Sequence, residues 1–325
     1  MKDCGPPYSI ISTKLQKLGI ISGEVFRRNY NGSSCKNEQP EETMDYTIEH
    51  RAEVTSTNEL CMSLGREGKE GNYVLVADSQ TKGRGRLGRE WLSKPGEGLY
   101  LSILERPDHM YMKYLAPITL VMALAIRKSL DDTFSMKCQI KWPNDLVFNG
   151  KKVAGILVQS SALTEKPFPI FDALTLEESI KNAKTQEGRD YIGPKVDFVV
   201  LGAGINIFHD AFPEDLQDKA TYLYLEKFCE KDEIHLKKQL IISIIENWKS
   251  YYNEFLRSDF FSLWKEYNQY LAGIYTEVVV HDSAGEYTGV SLGVNAFGEL
   301  EVDTAKGINT VTCGEVSVRG VNGYV

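Results

Sequence analysis

The chain has 325 residues, 42% of them hydrophobic and 25% charged, enough to bury one sizeable core and a smaller second one. Its 37 Lys and Arg stand against 45 Asp and Glu, a net charge of −8 that argues against broad affinity for nucleic acid, and no apolar run reaches the length of a membrane span. Six cysteines without a C-x-x-C pair and five histidines without an H-x-x-x-H pair speak for a reduced, cytoplasmic setting and against a zinc site or disulfide framework.

Residues 1–45 hold Gly5-Pro6-Pro7, a short apolar stretch around Ile20-Ile21 and a polar run from Asn29 to Ser34. They leave no room for three periodic helices and a wing, so an N-terminal extension that is not a winged helix is expected. Five basic residues against one acid, Glu24, between Gly5 and Asn37 keep organelle targeting open. From Tyr46 the pattern becomes regular. Ser56 and Glu59 have the spacing of a capping box ahead of Leu60 and Leu64, which predicts a helix from here to near Gly65 with hydroxyls and backbone donors at its start. Tyr73 to Asp78 and Gly98 to Leu104 read as buried strands.

Between those strands, Gln80 to Trp91 alternates glycine with arginine: Gly83-Arg84-Gly85-Arg86-Leu87-Gly88-Arg89-Glu90-Trp91. Glycine admits close backbone approaches and arginine supplies a permanent charge with planar donors, so the loop reads as a clamp for an anion with an aromatic face beside it. An arginine-rich surface loop touching nucleic acid is the alternative reading.

Tyr114 to Leu130 has helical spacing, and Met136 to Ile140 reads as a strand leading into Lys141. In the segment 141–157, Asn149-Gly150 between apolar runs signals a hairpin with a primed turn. Pro143 cannot donate to a ladder, so Trp142 to Asp145 should be irregular and leave the Asp145 carboxylate free to meet a cation. Lys152 can reach back to the same place, and Gly155 lets the backbone approach a ligand. The plainer reading is a turn-capping Asp145 and a solvated Lys152. A mixed stretch at about 162–195 reads as a surface insertion, and Val196 to Leu201 as a strand ending at Gly202-Ala203-Gly204-Ile205-Asn206. Helices are expected at 236–255 and 260–271. After Gly273, short runs at 276–281, 287–292, 297–302 and 310–318 suggest a small β-barrel. No convincing nucleophile–base pair is found.

The segments Gly83 to Trp91, Lys141-Trp142-Pro143-Asn144-Asp145-Leu146, Lys152-Val153-Ala154-Gly155-Ile156-Leu157 and Gly202 to Asn206, in this order, resemble the biotin protein ligases. The resemblance covers roughly residues 50 to 325, interrupted at about 162–195. It implies an α+β fold, a mixed β-sheet with packed helices like that of the class II aminoacyl-tRNA synthetases, over residues 46–272, with an SH3-like β-barrel over 273–325. It implies ATP-dependent conversion of biotin to biotinyl-5′-AMP, then transfer of biotin to one lysine of a carboxylase carrier domain. By the same resemblance Ser56, Thr57, Asn58, Gln80, Gly83, Arg84, Arg86, Lys152 and Gly155 meet biotin, with Lys152 and Arg86 catalytic. Arg89, Trp91, Asn144, Asn206 and Arg319 meet ATP, and Asp145 helps hold Mg2+. Arg319 could equally be a solvated terminal arginine. A monomer acting without DNA is favoured. A lipoate protein ligase shares the fold and the two-step logic but lacks the Gly-Arg loop; a nucleic-acid-binding protein using that loop is the alternative from another class.

Overall fold

The computed structural model describes residues 46–107, 110, 114–162, 195–208, 212–223, 230–282, 285–312 and 317–320. The expectations for residues 1–45 and for most of the insertion at 162–195 lie outside these residues. Seven strands form the main sheet: β1 (Thr47–Val54), β2 (Tyr73–Gln80), β3 (Gly98–Glu105), β4 (Gln139–Lys141), β5 (Asp145–Phe148), β6 (Lys151–Ala162) and β7 (Val196–Asn206), in spatial order β1-β2-β3-β7-β6-β5-β4. β1 and β2 pair in parallel, and the other pairings are antiparallel. A parallel neighbour needs a crossover, which α1 (Thr57–Arg66) supplies. Ser56 caps α1 as expected, its hydroxyl accepting from the Glu59 N–H at 3.5 Å.

Period-2 alternation divides the sheet into two unlike faces. Val74 and Val76 on β2, Leu101 and Ile103 on β3, and Val199 and Leu201 on β7 belong to the large core, which includes residues of α2 (Leu115–Phe134) and α3 (Glu230–Ser258). Tyr73, Leu75, Leu104, Phe198 and Val200 point the other way and form a smaller core with Cys61 and Met62 of α1. Farther along that second face the side chains run out, at Gly155, Gly202 and Gly204.

One carboxylate lies inside the packing. Glu105, 2% exposed, accepts hydrogen bonds from Tyr46 Oη at 2.5 Å and Trp248 Nε1 at 2.8 Å, and burial pushes its carboxyl up to about 7 although these donors oppose the shift.

Several boundaries differ from the sequence reading. α2 continues to Phe134, where Ser135 at φ 56° ends it in a left-handed cap, so β4 begins at Gln139 and not at Met136. The strand expected over Val196 to Leu201 does not end there: residues 202–206 are the second half of β7, with β3 and β6 pairing on its two sides, and the ladder holds glycine in extended form. The helical run expected at 260–271 is split, with a 3-10 turn at Asp259–Ser262, where Asp259 has φ 54°, ahead of α4 (Trp264–Tyr270).

A second, five-stranded antiparallel sheet follows: β8 (Glu277–Asp282), β9 (Gly285–Val294), β10 (Leu300–Thr304), β11 (Gly307–Val311) and β12 (Ser317–Gly320), in order β11-β10-β9-β8-β12. The run expected at 310–318 thus contributes to two strands. Among the described residues the edge strands β11 and β12 do not pair, so the expected barrel is described as an antiparallel sheet. It is fixed to the main sheet at β4: Ala272 N donates to Ile140 O at 2.8 Å and Trp142 Nε1 to Gly298 O at 3.1 Å. Val280, Leu300 and Val302 share the large core, so burial of apolar area holds the two sheets together.

Candidate functional site

The missing side chains on the second face of the sheet make the cleft. Gly155 on β6 lies directly opposite Gly204 on β7, and Leu157 opposite Gly202. A Cβ on Gly204 would stand 2.5 Å from Trp91 Cε2, one on Gly155 2.8 Å from Trp91 Cζ3, and one on Gly202 would collide with Asn58 Oδ1. The cleft over these positions holds about 430 Å³ of space open to solvent on one side. The start of α1, the Gly-Arg loop and the β5–β6 hairpin surround it.

The loop has its own bonding. Trp91 N donates to Gly83 O at 2.9 Å and Gly85 N to Arg89 O at 2.8 Å, which folds it into a narrow tongue; Leu87 and Gly88 reverse its tip at φ 56° and 70°. Gly83 is required because a Cβ there would strike the Trp91 carbonyl. Arg84 forms an ion pair with Glu59 of α1, so that acid anchors the loop where the sequence suggested it would close a capping box. Arg86 Nη1 donates to Asn144 Oδ1 at 2.9 Å, and Asn144 is tied to β6 through Nδ2 to Ile156 O at 3.1 Å. Trp91 Nε1 is buried with no hydrogen-bond partner among the described residues, an uncommon state for an indole N–H.

The primed turn forms as expected, Asn149 and Gly150 having φ 49° and 75°. Trp142-Pro143 is a cis bond, and residues 142–144 form the turn of a first hairpin, β4–β5, ahead of the expected one. One expectation fails here: the Asp145 carboxylate is not left free for a cation, because Lys152 Nζ lies 2.7 Å from Asp145 Oδ1. The two residues stand on paired strands with largely buried side chains, so their charges seek each other. Lys152 Nζ is also 5.1 Å from the Trp91 ring centroid, within cation–π range. Nearby, burial above all, with Lys152, Arg319 and Arg89 adding repulsion and Asp145 opposing it, lowers the Lys141 ammonium to about 8.

Of the residues singled out in the sequence, Ser56, Thr57, Asn58, Gln80, Arg84, Arg86, Trp91, Asn144, Lys152 and Gly155 line this one cleft. Gly83 and Asp145 support it from behind. Arg89 is exposed on the loop, Asn206 is buried with Nδ2 donating to Thr221 O at 3.2 Å, and Arg319 lines a separate cavity beside Lys141 between the two sheets. The sequence reading missed Ser93, Ser102 and Gln159, which bond to Gln80, Thr57 and Asn58 beneath the floor. Ser102 had a signal: a polar residue within the apolar run Leu99 to Leu104 of a fully buried strand. Among the described residues no cluster of three or more His, Cys, Asp or Glu could hold a metal, and no helix is long and apolar enough to cross a membrane.

The signature of the biotin/lipoate A/B protein ligase family matches residues 51–169. The bifunctional ligase/repressor BirA of Bacillus spizizenii is 26% identical over 279 residues, 85% of this chain and 75% of that protein. The biotin–[acetyl-CoA-carboxylase] ligase of Paracoccus denitrificans is 39% identical over 116 residues, 34% of this chain and 45% of that one. Among solved structures, the biotin protein ligase of Aquifex aeolicus in complex with biotin and ATP superposes with a TM-score of 0.64 at 28% identity, covering 84% of this chain and 98% of that one.

Proposed function

We infer that the chain is a biotin protein ligase of the biotin/lipoate A/B protein ligase family, forming biotinyl-5′-AMP from biotin and ATP and passing the biotinyl group to a lysine of a carboxylase carrier domain. The observation that carries this is one cleft with two chemistries: a floor of neutral hydrogen-bonding groups, Thr57, Asn58 and Gln80, and a wall of cations, Arg84, Arg86 and Lys152. The floor suits the cyclic urea of biotin better than the apolar dithiolane of lipoate.

In the first step the biotin carboxylate attacks the α-phosphorus of ATP and pyrophosphate leaves. Two anions must meet, so charge neutralisation fixed in advance is the main catalytic need. Lys152 on the hairpin and Arg86 on the loop supply it, Lys152 held by Asp145 and Arg86 by Asn144. Trp91 covers the carboxylate end of the cleft and offers its indole face to the adenine, and Arg89 lies on the same loop, within reach of phosphate. Asn206 and Arg319 lie outside the cleft, so their service to the nucleotide calls for approach of the triphosphate toward the second sheet. In the second step the acceptor ε-amine attacks the acyl carbon and AMP leaves; the mixed anhydride carries the activation, and no nucleophilic side chain is needed.

Mg2+ ordinarily takes one or two carboxylates plus substrate phosphates; Asp145 is the carboxylate beside the cleft, and a magnesium ion brought in with the triphosphate would have to share it with Lys152, 2.7 Å away. There it would neutralise phosphate charge. We further propose a 46–272 ligase domain with a 273–325 β domain, acting as a monomer in a reducing compartment such as the cytoplasm and without nucleic acid. The net charge of −8 speaks for action without nucleic acid, and the free buried thiols of Cys61 and Cys138 for a reducing compartment.

The test is a single assay with labelled biotin, ATP and a purified carrier domain. Biotin-dependent pyrophosphate release and biotinyl-AMP detected by mass spectrometry are expected. Turnover of lipoate in place of biotin, or no adenylate with either, refutes the assignment.

A further inference from the structure

The cleft floor is joined to a layer of polar side chains, Ser102, Gln159 and Ser93, that has no part in the steps above. Asn58 Nδ2 donates to the Leu157 carbonyl at 3.0 Å and to Gln159 Oε1 at 3.1 Å. A backbone carbonyl only accepts, so these bonds use both amide protons and fix which way the amide points. Asn58 Oδ1 then faces Ser102 Oγ at 2.6 Å. An amide oxygen has no proton, so Ser102 must donate its single one there. Ser102 Oγ, 2.8 Å from Thr57 Oγ1, is left to accept. The Thr57 hydroxyl has one proton and two acceptors in reach, Ser102 Oγ and, at 3.1 Å, Gln80 Oε1; given to Gln80 it would leave the two hydroxyl oxygens 2.8 Å apart with no proton between them, so it points down at Ser102.

Gln80 is oriented independently. Its Oε1 accepts from the Thr57 backbone N–H at 2.8 Å, while its Nε2 donates to Ser93 Oγ at 2.9 Å and Ser93 donates onward to the Trp91 carbonyl at 3.1 Å. Thr57 Oγ1 and Gln80 Oε1 thus stand 3.1 Å apart in the cleft, two acceptors with no proton between them. Such a pair repels until a donor joins it.

We propose that Ser102 is a positioning residue for biotin recognition: it holds the Thr57 hydroxyl proton away from Gln80, so that Thr57 and Gln80 together accept an N–H of the cyclic urea. This rests on the reading of the cleft as a biotin site. Ser102 is fully buried and does not line the cleft, so it acts through Thr57. Its place follows from register: Ser102 on β3 lies opposite Gly202 on β7, whose absent Cβ leaves the room Asn58 occupies. Without the Ser102 hydroxyl, Thr57 turns its proton to Gln80 Oε1 and the acceptor pair is closed.

The test is biotin-dependent ATP–pyrophosphate exchange by the full chain and by Ser102→Ala, Thr57→Val and the double variant. Each is assayed with biotin and with biotin methylated at either ureido nitrogen. Ser102→Ala is expected to raise the KM for biotin about tenfold with kcat little changed, and to narrow discrimination against one of the methylated analogues. Added to Thr57→Val it should raise KM no further, because its partner hydroxyl is already gone. Ser102→Cys, which keeps a weak donor and acceptor, should recover part of the loss. An equal KM rise for biotin and both analogues, additive effects in the double variant, or a lowered Tm with unchanged KM would each overturn the role of Ser102. Calorimetry showing that the unmodified chain binds no biotin would overturn the biotin reading itself, a distinct failure.

Discussion

Removing the Lys152 ammonium perturbs the site in two ways that can be separated. Lys152→Ala deletes a charge that faces the point where negative charge accumulates, and loss of one preorganised group of this kind costs about 2.7–4 kcal/mol of transition-state stabilisation, or about 10²–10³ in rate. It also strips Asp145 of a partner 2.7 Å away, with 24% and 14% of the two side chains exposed. Breaking a fully buried pair costs roughly 3–5 kcal/mol, and the residual exposure here brings the stability loss below that. Pairing Lys152→Ala with Asp145→Asn removes the uncompensated carboxylate, so the double variant should regain most of the lost denaturant midpoint while its adenylation rate stays low. Biotin-dependent ATP–pyrophosphate exchange, corrected for the folded fraction, measures the rate. A well-folded Lys152→Ala protein within about threefold of the parent would show that the catalytic charge lies elsewhere and that the pair is structural.

Gly202→Ala places a methyl against Asn58 Oδ1; the side chain must move, and calorimetry should show biotin binding lost with a lowered Tm, whereas unchanged binding would mean Asn58 has no part in the floor. Arg86→Gly breaks the bond to Asn144 that ties the loop to the sheet, so biotinyl-AMP should escape and label bystander lysines, detected by mass spectrometry of an added inert protein. Glu105 sets a pH dependence of stability. Its folded pKa of about 7 lies above its ordinary 4.5, so the folded state holds the proton more tightly and stability falls as pH rises between those values, by about 3 kcal/mol in all. Urea midpoints across that range should drop for the parent and stay flatter for Glu105→Gln, and equal slopes would refute the assignment to Glu105.

The sheet and much of the cleft were legible in the sequence because they depend on local signals. Continuous apolar runs marked β2, β3 and β7, the Asn149-Gly150 turn was explicit, and Ser56 announced α1. What was missed depends on partners distant in sequence. Glu59 has capping-box spacing, yet Arg84, twenty-five residues on, claims its carboxylate, and nothing near Glu59 signals that contact. The Asp145–Lys152 pair follows from cross-strand register, which one extra residue would have altered; the bulge between Leu146 and Val147 is such an irregularity. The glycines of residues 202–206 mark the end of the strand in the sequence because glycine is a poor strand former, and a ladder on each side overrides that preference.

A chain of net charge −8 with a cationic cleft is no contradiction, because the two facts act over different distances. At physiological salt, exposed charges are screened beyond about 8 Å, so a phosphate in the cleft interacts chiefly with Arg86, Lys152 and Asp145 and little with the acidic surface elsewhere. A nucleic acid backbone, spread over many repeats, would meet that surface directly. The Lys141 ammonium is lowered chiefly by burial, with Asp145 opposing the shift and Lys152, Arg319 and Arg89 adding repulsion, so several cations share this neighbourhood with a single carboxylate. A triphosphate entering the cleft meets these cations at close range, where screening is least. The acidic exterior thus restricts which anions arrive, and the interior excess of cations determines what they do there.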